Sequence, residues 1–212
     1  MKKKNRHLAI LLIVVIAVTT FAALHRTVDT MAVEQLQQGI SKEIIRFHVR
    51  ANSDSDEDQA LKLKVKAAVV DYLAPLLENS SSLDETREIL SEQQDNIYAL
   101  SIDTLRDNGC DMDVKVYFEN CYFPVKSYGD VTFPPGEYEA FRIDIGESAG
   151  KNWWCVLYPP LCFVDTVYGV VPDESKDKLK NVLNEEEYHA VTNTEYKFRF
   201  KYLTFLNQFI KE

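Results

Sequence analysis

Glycine and proline are sparse in this 212-residue chain, seven of each, and no stretch concentrates them. That excludes a collagen-like or low-complexity polymer. Histidine is sparser still. His7, His25, His48 and His189 stand far apart, with no H-E-x-x-H and no His/Cys cluster at ligand spacing, so nothing points to a zinc site. The nucleophile elbow G-x-S-x-G, the phosphate loop and the dinucleotide fingerprint are all missing. Positive charge is in short supply, with 24 Lys and Arg against 33 Asp and Glu. Lys2, Lys3, Lys4 and Arg6 hold four of those 24, so the remainder carries 20 basic against 33 acidic residues, a net charge of −13. Such a domain does not grip nucleic acid or an anionic membrane by charge.

The basic cluster precedes an uncharged apolar run from Leu8 to Leu24, the pattern that keeps an N-terminus cytoplasmic and sends the downstream chain across a membrane. Residues 1–24 therefore read as a signal peptide or a membrane anchor, with Thr20 and Ala22 at the small-residue spacing for cleavage before Ala23. Residues 25–41 form a polar tether, 42–172 the exported domain, and 173–212 a charged linker with a C-terminal amphipathic helix. Residues 173–193 read as charged and partly helical. Beyond them Tyr196, Phe198 and Phe200 alternate as in a strand, while Phe198, Tyr202, Phe205, Leu206 and Phe209 share one helix face, the reading preferred for most of the tail. The chain is 46% apolar and 11% aromatic, enough for one compact core.

Within the domain, "EIIRFHVRAN" alternates: Ile45, Phe47 and Val49 point one way and Arg46, His48 and Arg50 the other, as in a half-buried strand. If Arg142 and Asp144 lie nearby, these side chains make a polar, solvated sheet face. Residues 55–74 repeat at helical spacing until "PLLENSSS" breaks them, and a second helix starts behind the capping box Ser82-x-x-Glu85, running to about Arg106 and ending at Asn108-Gly109. Period two then returns through Val114–Phe118 and Phe141–Ile145, and "NWWCVLYPPLCFV" is apolar on both faces, as in a central strand. The order β-α-α-β-β-β-α predicts a two-layer α+β domain, a mainly antiparallel sheet covered on one face by helices.

The acidic run Asn52–Asp58 resembles a metal loop at first sight. Counted from Asp54, the sixth and twelfth positions of a calcium loop fall on Gln59 and Val65 instead of Gly and Glu. A helix start explains it: Ser55 caps, and Asp56, Glu57 and Asp58 sit where the helix dipole favours negative charge. Among the four cysteines, Cys110 and Cys121 flank an extended strand that holds them too far apart to bond, at about 3.3 Å per residue. Cys155 and Cys162 bracket Pro159-Pro160, which can fold back, so a disulfide there and two free buried thiols both stand open. Tandem Trp153 and Trp154 must send one ring to each face of a strand. Glu137 and Glu139 share a strand face, and with Asp144 they make the carboxylate set a cell-wall glycosidase would use; two solvated glutamates are the plainer reading.

Three blocks carry a family resemblance: "IRFHVRANSDSDEDQALKLKVK", "YFPVKSYGDVTFPPGEYEAFRIDIG" and "GKNWWCVLYPPLCFVD", spread over residues 44–165. Together with the export segment they resemble stage II sporulation protein R of endospore-forming bacteria. The resemblance implies a signalling protein, not an enzyme: one made in the forespore, exported into the space between the two membranes, where it switches on a membrane-embedded aspartic protease of the mother cell. That protease removes the pro-sequence of the sigma factor E precursor. No cofactor, metal, nucleic acid or small-molecule substrate is implied. The expected partner surface takes in His48, Asn52, Asp54, Asp58 and Tyr128 from the first two blocks. Glu137, Tyr138, Asn152, Trp153 and Trp154 complete it. An envelope enzyme and a tethered structural adaptor are the rival classes.

Overall fold

The computed structural model describes residues 15, 16, 19, 20, 33–162 and 170–192. The chain divides into two compact units, Met1–Gln38 and Gly39–Glu212. In the first, the described residues are all helical. Among the described residues no helix is long and apolar enough to cross a membrane. Most of the apolar leader, the C-terminal segment 193–212 and the Phe163–Asp165 end of the aromatic-proline run lie outside the described residues.

Helix α1 (residues 33–43) leads into strand β1 (Ile45–Arg50). Three helices follow, α2 (Asp56–Leu77), α3 (Leu83–Glu92) and α4 (Gln94–Arg106). Then come β2 (Val114–Phe123), a hairpin of β3 (Lys126–Tyr128) and β4 (Val131–Phe133), β5 (Gly136–Ile145) and β6 (Asn152–Tyr158). Helices α5 (Asp173–Val182) and α6 (Glu185–Thr192) occupy the stretch expected as a charged, partly helical linker, with Leu179, Leu183, Ala190 and Val191 buried. The fold is α+β, as the alternation of periods predicts.

The main sheet runs β2-β5-β1-β6, with β1–β5 parallel and the other two pairings antiparallel. Its helix-covered face is the core. Phe47, Val49, Phe141, Ile143 and Leu157 meet Val65, Val69 and Leu73 of α2, Leu90 of α3 and Ile97 and Leu105 of α4. Burying each of these side chains contributes about 1.5–3 kcal/mol before the entropy of ordering the chain is counted.

Local signals set the helix ends. Ser55 Oγ accepts from Asp58 N at 3.1 Å and Ser82 Oγ from Glu85 N at 3.1 Å, each satisfying an orphan helix donor. Past α4 the chain turns through Gly109, whose φ of +76° needs a residue without Cβ. Three expectations give way to tertiary packing. Helix α2 continues through Pro75 because Leu77, one turn past Leu73, is buried, and its burial offsets the backbone bond that proline removes. The second helix is two helices, separated at Gln93 (φ −91°, ψ 0°), whose side chain accepts from Tyr72 Oη at 2.5 Å. Strand β6 lies at the sheet edge and β1 in its centre, the reverse of what their hydrophobicity suggests.

Candidate functional site

The odd-numbered residues of β1 and β5 face the helices, so Arg46, His48 and Arg50 share the second face with Tyr138, Arg142 and Asp144 of β5. Register adds Tyr117, Glu119 and Phe123 of β2 and Trp154 and Asn152 of β6. The polar residues are brought together as the alternation suggests, but the face is not solvated. Arg46 is 0% exposed, and His48, Arg142 and Asp144 are buried with it.

The cause is an aromatic cover absent from any local reading. The guanidinium of Arg46 sits 4.4 Å from the ring centroid of Phe123, 5.0 Å from Tyr138, 5.2 Å from Phe133 and 5.8 Å from Tyr128, the last two carried over it by the β3–β4 hairpin. Its Nη2 donates to Tyr128 Oη at 3.1 Å, while Nε and Nη1 have no partner. Burial lowers the Arg46 pKa, and the negative ring faces are what compensate its charge. The sequence signal for this cage is an aromatic residue at every fifth position from Phe123 to Tyr138.

Beside the cage runs an ion-pair network. Arg50 grips both oxygens of Asp144, Tyr117 Oη donates to it at 2.8 Å, and Arg142 bridges Asp144 and Glu119. Burial pushes the Asp144 pKa up, but the bonds from Arg50 and Tyr117 and the Arg142 charge outweigh it and hold the carboxyl at about 2. His48 goes the other way. Desolvation drops its pKa to about 4, so the ring is neutral. Its Nε2 meets Asn152 Oδ1 at 2.9 Å, and its Nδ1 and the indole Nε1 of Trp154 are buried without partners.

The remaining expected partner residues fall into three groups. Asn52, Asp54 and Asp58 clasp the β5–β6 turn: Asn52 Oδ1 accepts from Glu147 N at 2.9 Å and Asp54 Oδ1 from Lys151 N at 2.6 Å. Asp58 takes bonds from Asn52 Nδ2 and Ser53 Oγ, which depress its pKa. Tyr138 is buried, donating to Pro134 O, and Tyr128 is half-buried on the cage. Glu137, Asn152, Trp153 and Trp154 keep exposed surface. The two tryptophans do part to opposite faces. Trp153 packs on Phe47 with Lys66 Nζ 5.0 Å from its ring, and Trp154 packs on His48 with Lys126 Nζ 3.6 Å away.

The glycosidase set does not converge. Glu137 and Glu139 lie on the helix side of β5, lining an open groove of about 400 Å³ with Lys42 and Arg87, and Asp144 lies on the far side of the sheet. Arg87 holds both oxygens of Glu139 at 2.9 Å. Among the described residues no group of three or more His, Cys, Asp or Glu side chains is placed to hold a metal ion. Cys155 and Cys162 are bonded, their Cα atoms 5.4 Å apart, and Cys110 and Cys121 are free thiols.

Known proteins share this sequence pattern. The family model described as stage II sporulation protein R matches residues 41–168. The curated stage II sporulation protein R of Bacillus subtilis (strain 168) is 39% identical over 139 residues, 66% of this chain and 62% of that protein, so the match spans less than two thirds of the relative's length. No solved structure matches.

Proposed function

The chain belongs to the stage II sporulation protein R family, and on that basis we propose that it is an exported signalling ligand. Its target in this reading is the membrane-embedded aspartic protease of the mother cell, and the result is processing of the sigma factor E precursor. It acts in the space between the forespore and mother-cell membranes. The observation that carries the reading is the family match over residues 41–168, which holds the aromatic-proline strand and the whole polar sheet face. The fold agrees with a binding role. Its buried polar groups form a rigid scaffold, and the carboxylates a hydrolase needs are separated by the sheet. To activate, the ligand must bind the active state of the protease more tightly than the resting state, since equal affinity shifts nothing.

Co-expression in a non-sporulating host tests this. The chain with its export segment, the protease and the sigma precursor are produced together, and the shortened sigma product is followed by gel mobility. Product that forms only when the chain is present supports the proposal. Product that forms equally without it, or none when the chain is exported and all three proteins are folded, contradicts it.

A further inference from the structure

The sheet has two outer edges. On β2, the carbonyl of Val116 is already occupied by Gln94 Nε2 at 2.9 Å. On β6, the carbonyl of Val156 accepts from Leu161 and Cys162, so it points away from β1. Period two then places the backbone N–H and C=O groups of Trp154 and Asn152 on that same outer edge. Among the described residues no backbone partner occupies it there. An unpaired strand edge is a template for another chain.

The surroundings of this edge give it a charge sign. The domain is acidic, yet Lys66 and Lys126 stand over the rings of Trp153 and Trp154, and exposed Lys151 directly precedes Asn152. Asp54, the exposed carboxylate beside them, accepts the Lys151 N–H on Oδ1, which leaves three cations to one anion at this edge. Two half-buried tryptophans straddle the edge, one on each face, each crowned by a cation. A strand laid along β6 would send alternate side chains to Trp153 with Lys66 and to Trp154 with Lys126.

We infer that the edge of β6 at Asn152–Trp154 is a strand-addition site for an extended, acidic segment of a protein partner. Backbone hydrogen bonds supply affinity, the indoles supply apolar contact, and the three lysines select acidic side chains. This rests on reading the chain as a ligand for a protein.

Trp153 and Trp154 are the two tryptophans of the chain, so intrinsic fluorescence reports this site directly. The full chain is purified in non-ionic detergent as W153F and W154F, each with one reporter. Both are titrated with a short acetylated, amidated peptide of alternating valine and glutamate, and with its valine–lysine counterpart. Strand addition at the edge gives a saturable emission change in both variants with the acidic peptide and none with the basic one. Reversing the charges in K66E/K126E/K151E, scored in each single-tryptophan background, weakens that response about tenfold, as three exposed ion pairs would. Should that variant misfold by circular dichroism, K66Q/K126Q/K151Q replaces it, with a smaller weakening in the same direction. No saturable change in either reporter, a change in one reporter alone, or a response unmoved by the lysine substitutions overturns the inference. Peptide binding with no processing in the co-expression assay would instead count against the signalling role and leave the edge site standing.

Discussion

Arg50 and Asp144, facing each other across the parallel β1–β5 ladder, are joined by two hydrogen bonds: Nε to Oδ1 at 2.8 Å and Nη2 to Oδ2 at 2.7 Å. The pair ties the end of β1 to β5 where the chain turns into the Asn52–Asp58 clasp. Asp144 also receives Tyr117 and Arg142, so it is a buried anion serving two arginines.

Asp144→Asn therefore leaves Arg142 buried with only Glu119 opposite it, and should cost about 3 kcal/mol, the range for removing one partner of a buried pair. The folded Asp144 pKa of about 2 lies below its ordinary 3.8, so its contribution is complete above pH 3.8 and fades as pH falls towards 2. Urea unfolding of the wild type should lose stability through that window, and the Asn variant should lose less, the remaining slope coming from other depressed carboxylates such as Asp58.

His48 acts earlier in an acid titration. Its folded pKa of about 4 is below the ordinary 6.5, so the folded state favours the neutral ring. Stability is full above pH 6.5 and declines as pH falls towards 4, by at most about 3 kcal/mol. A His48→Gln variant should show a flatter stability profile between those values. An unchanged slope would mean that the ring is solvated in solution.

The turn clasp depends on close approach. A Cβ on Gly150 would sit 2.1 Å from the backbone oxygen of Ser53, so Gly150→Ala forces two backbones apart. We expect a loss of about 2 kcal/mol in urea unfolding, with unchanged far-ultraviolet circular dichroism. A neutral Gly150→Ala would show that the turn yields freely.

Arg46 separates charge from volume. Arg46→Met fills the aromatic cage and removes two unpaired donors, and should change stability by no more than about 1 kcal/mol. Arg46→Ala empties the cage and should cost about 3 kcal/mol. Equal losses in the two variants would make the guanidinium charge, not its volume, the stabilising element.

What the sequence reveals is mostly local. The caps at Ser55 and Ser82, the turn at Gly109 and the division of Trp153 from Trp154 each depend on a few neighbouring residues and are readable there. The burial of the second sheet face is not. Alternating Arg46, His48 and Arg50 look solvated until Phe123, Tyr128, Phe133 and Tyr138 arrive from a segment far along the chain. Strand β6 misleads for a related reason: the turn that bonds Leu161 and Cys162 back to Val156 covers its outer edge at one end, so an edge strand acquires the apolar run of a central one. In the expected partner surface, the sequence does not separate the side chains that clasp the fold, Asn52, Asp58 and the still exposed Asp54, from those that only face solvent.

The proposed signalling through the protease is tested most directly as cleavage of the sigma precursor by protease-containing membranes, followed as a function of added chain. An activating ligand gives a rate that rises and saturates with the concentration of the folded protein. A rate independent of that concentration, with the protease competent and the chain folded, would contradict the activating role.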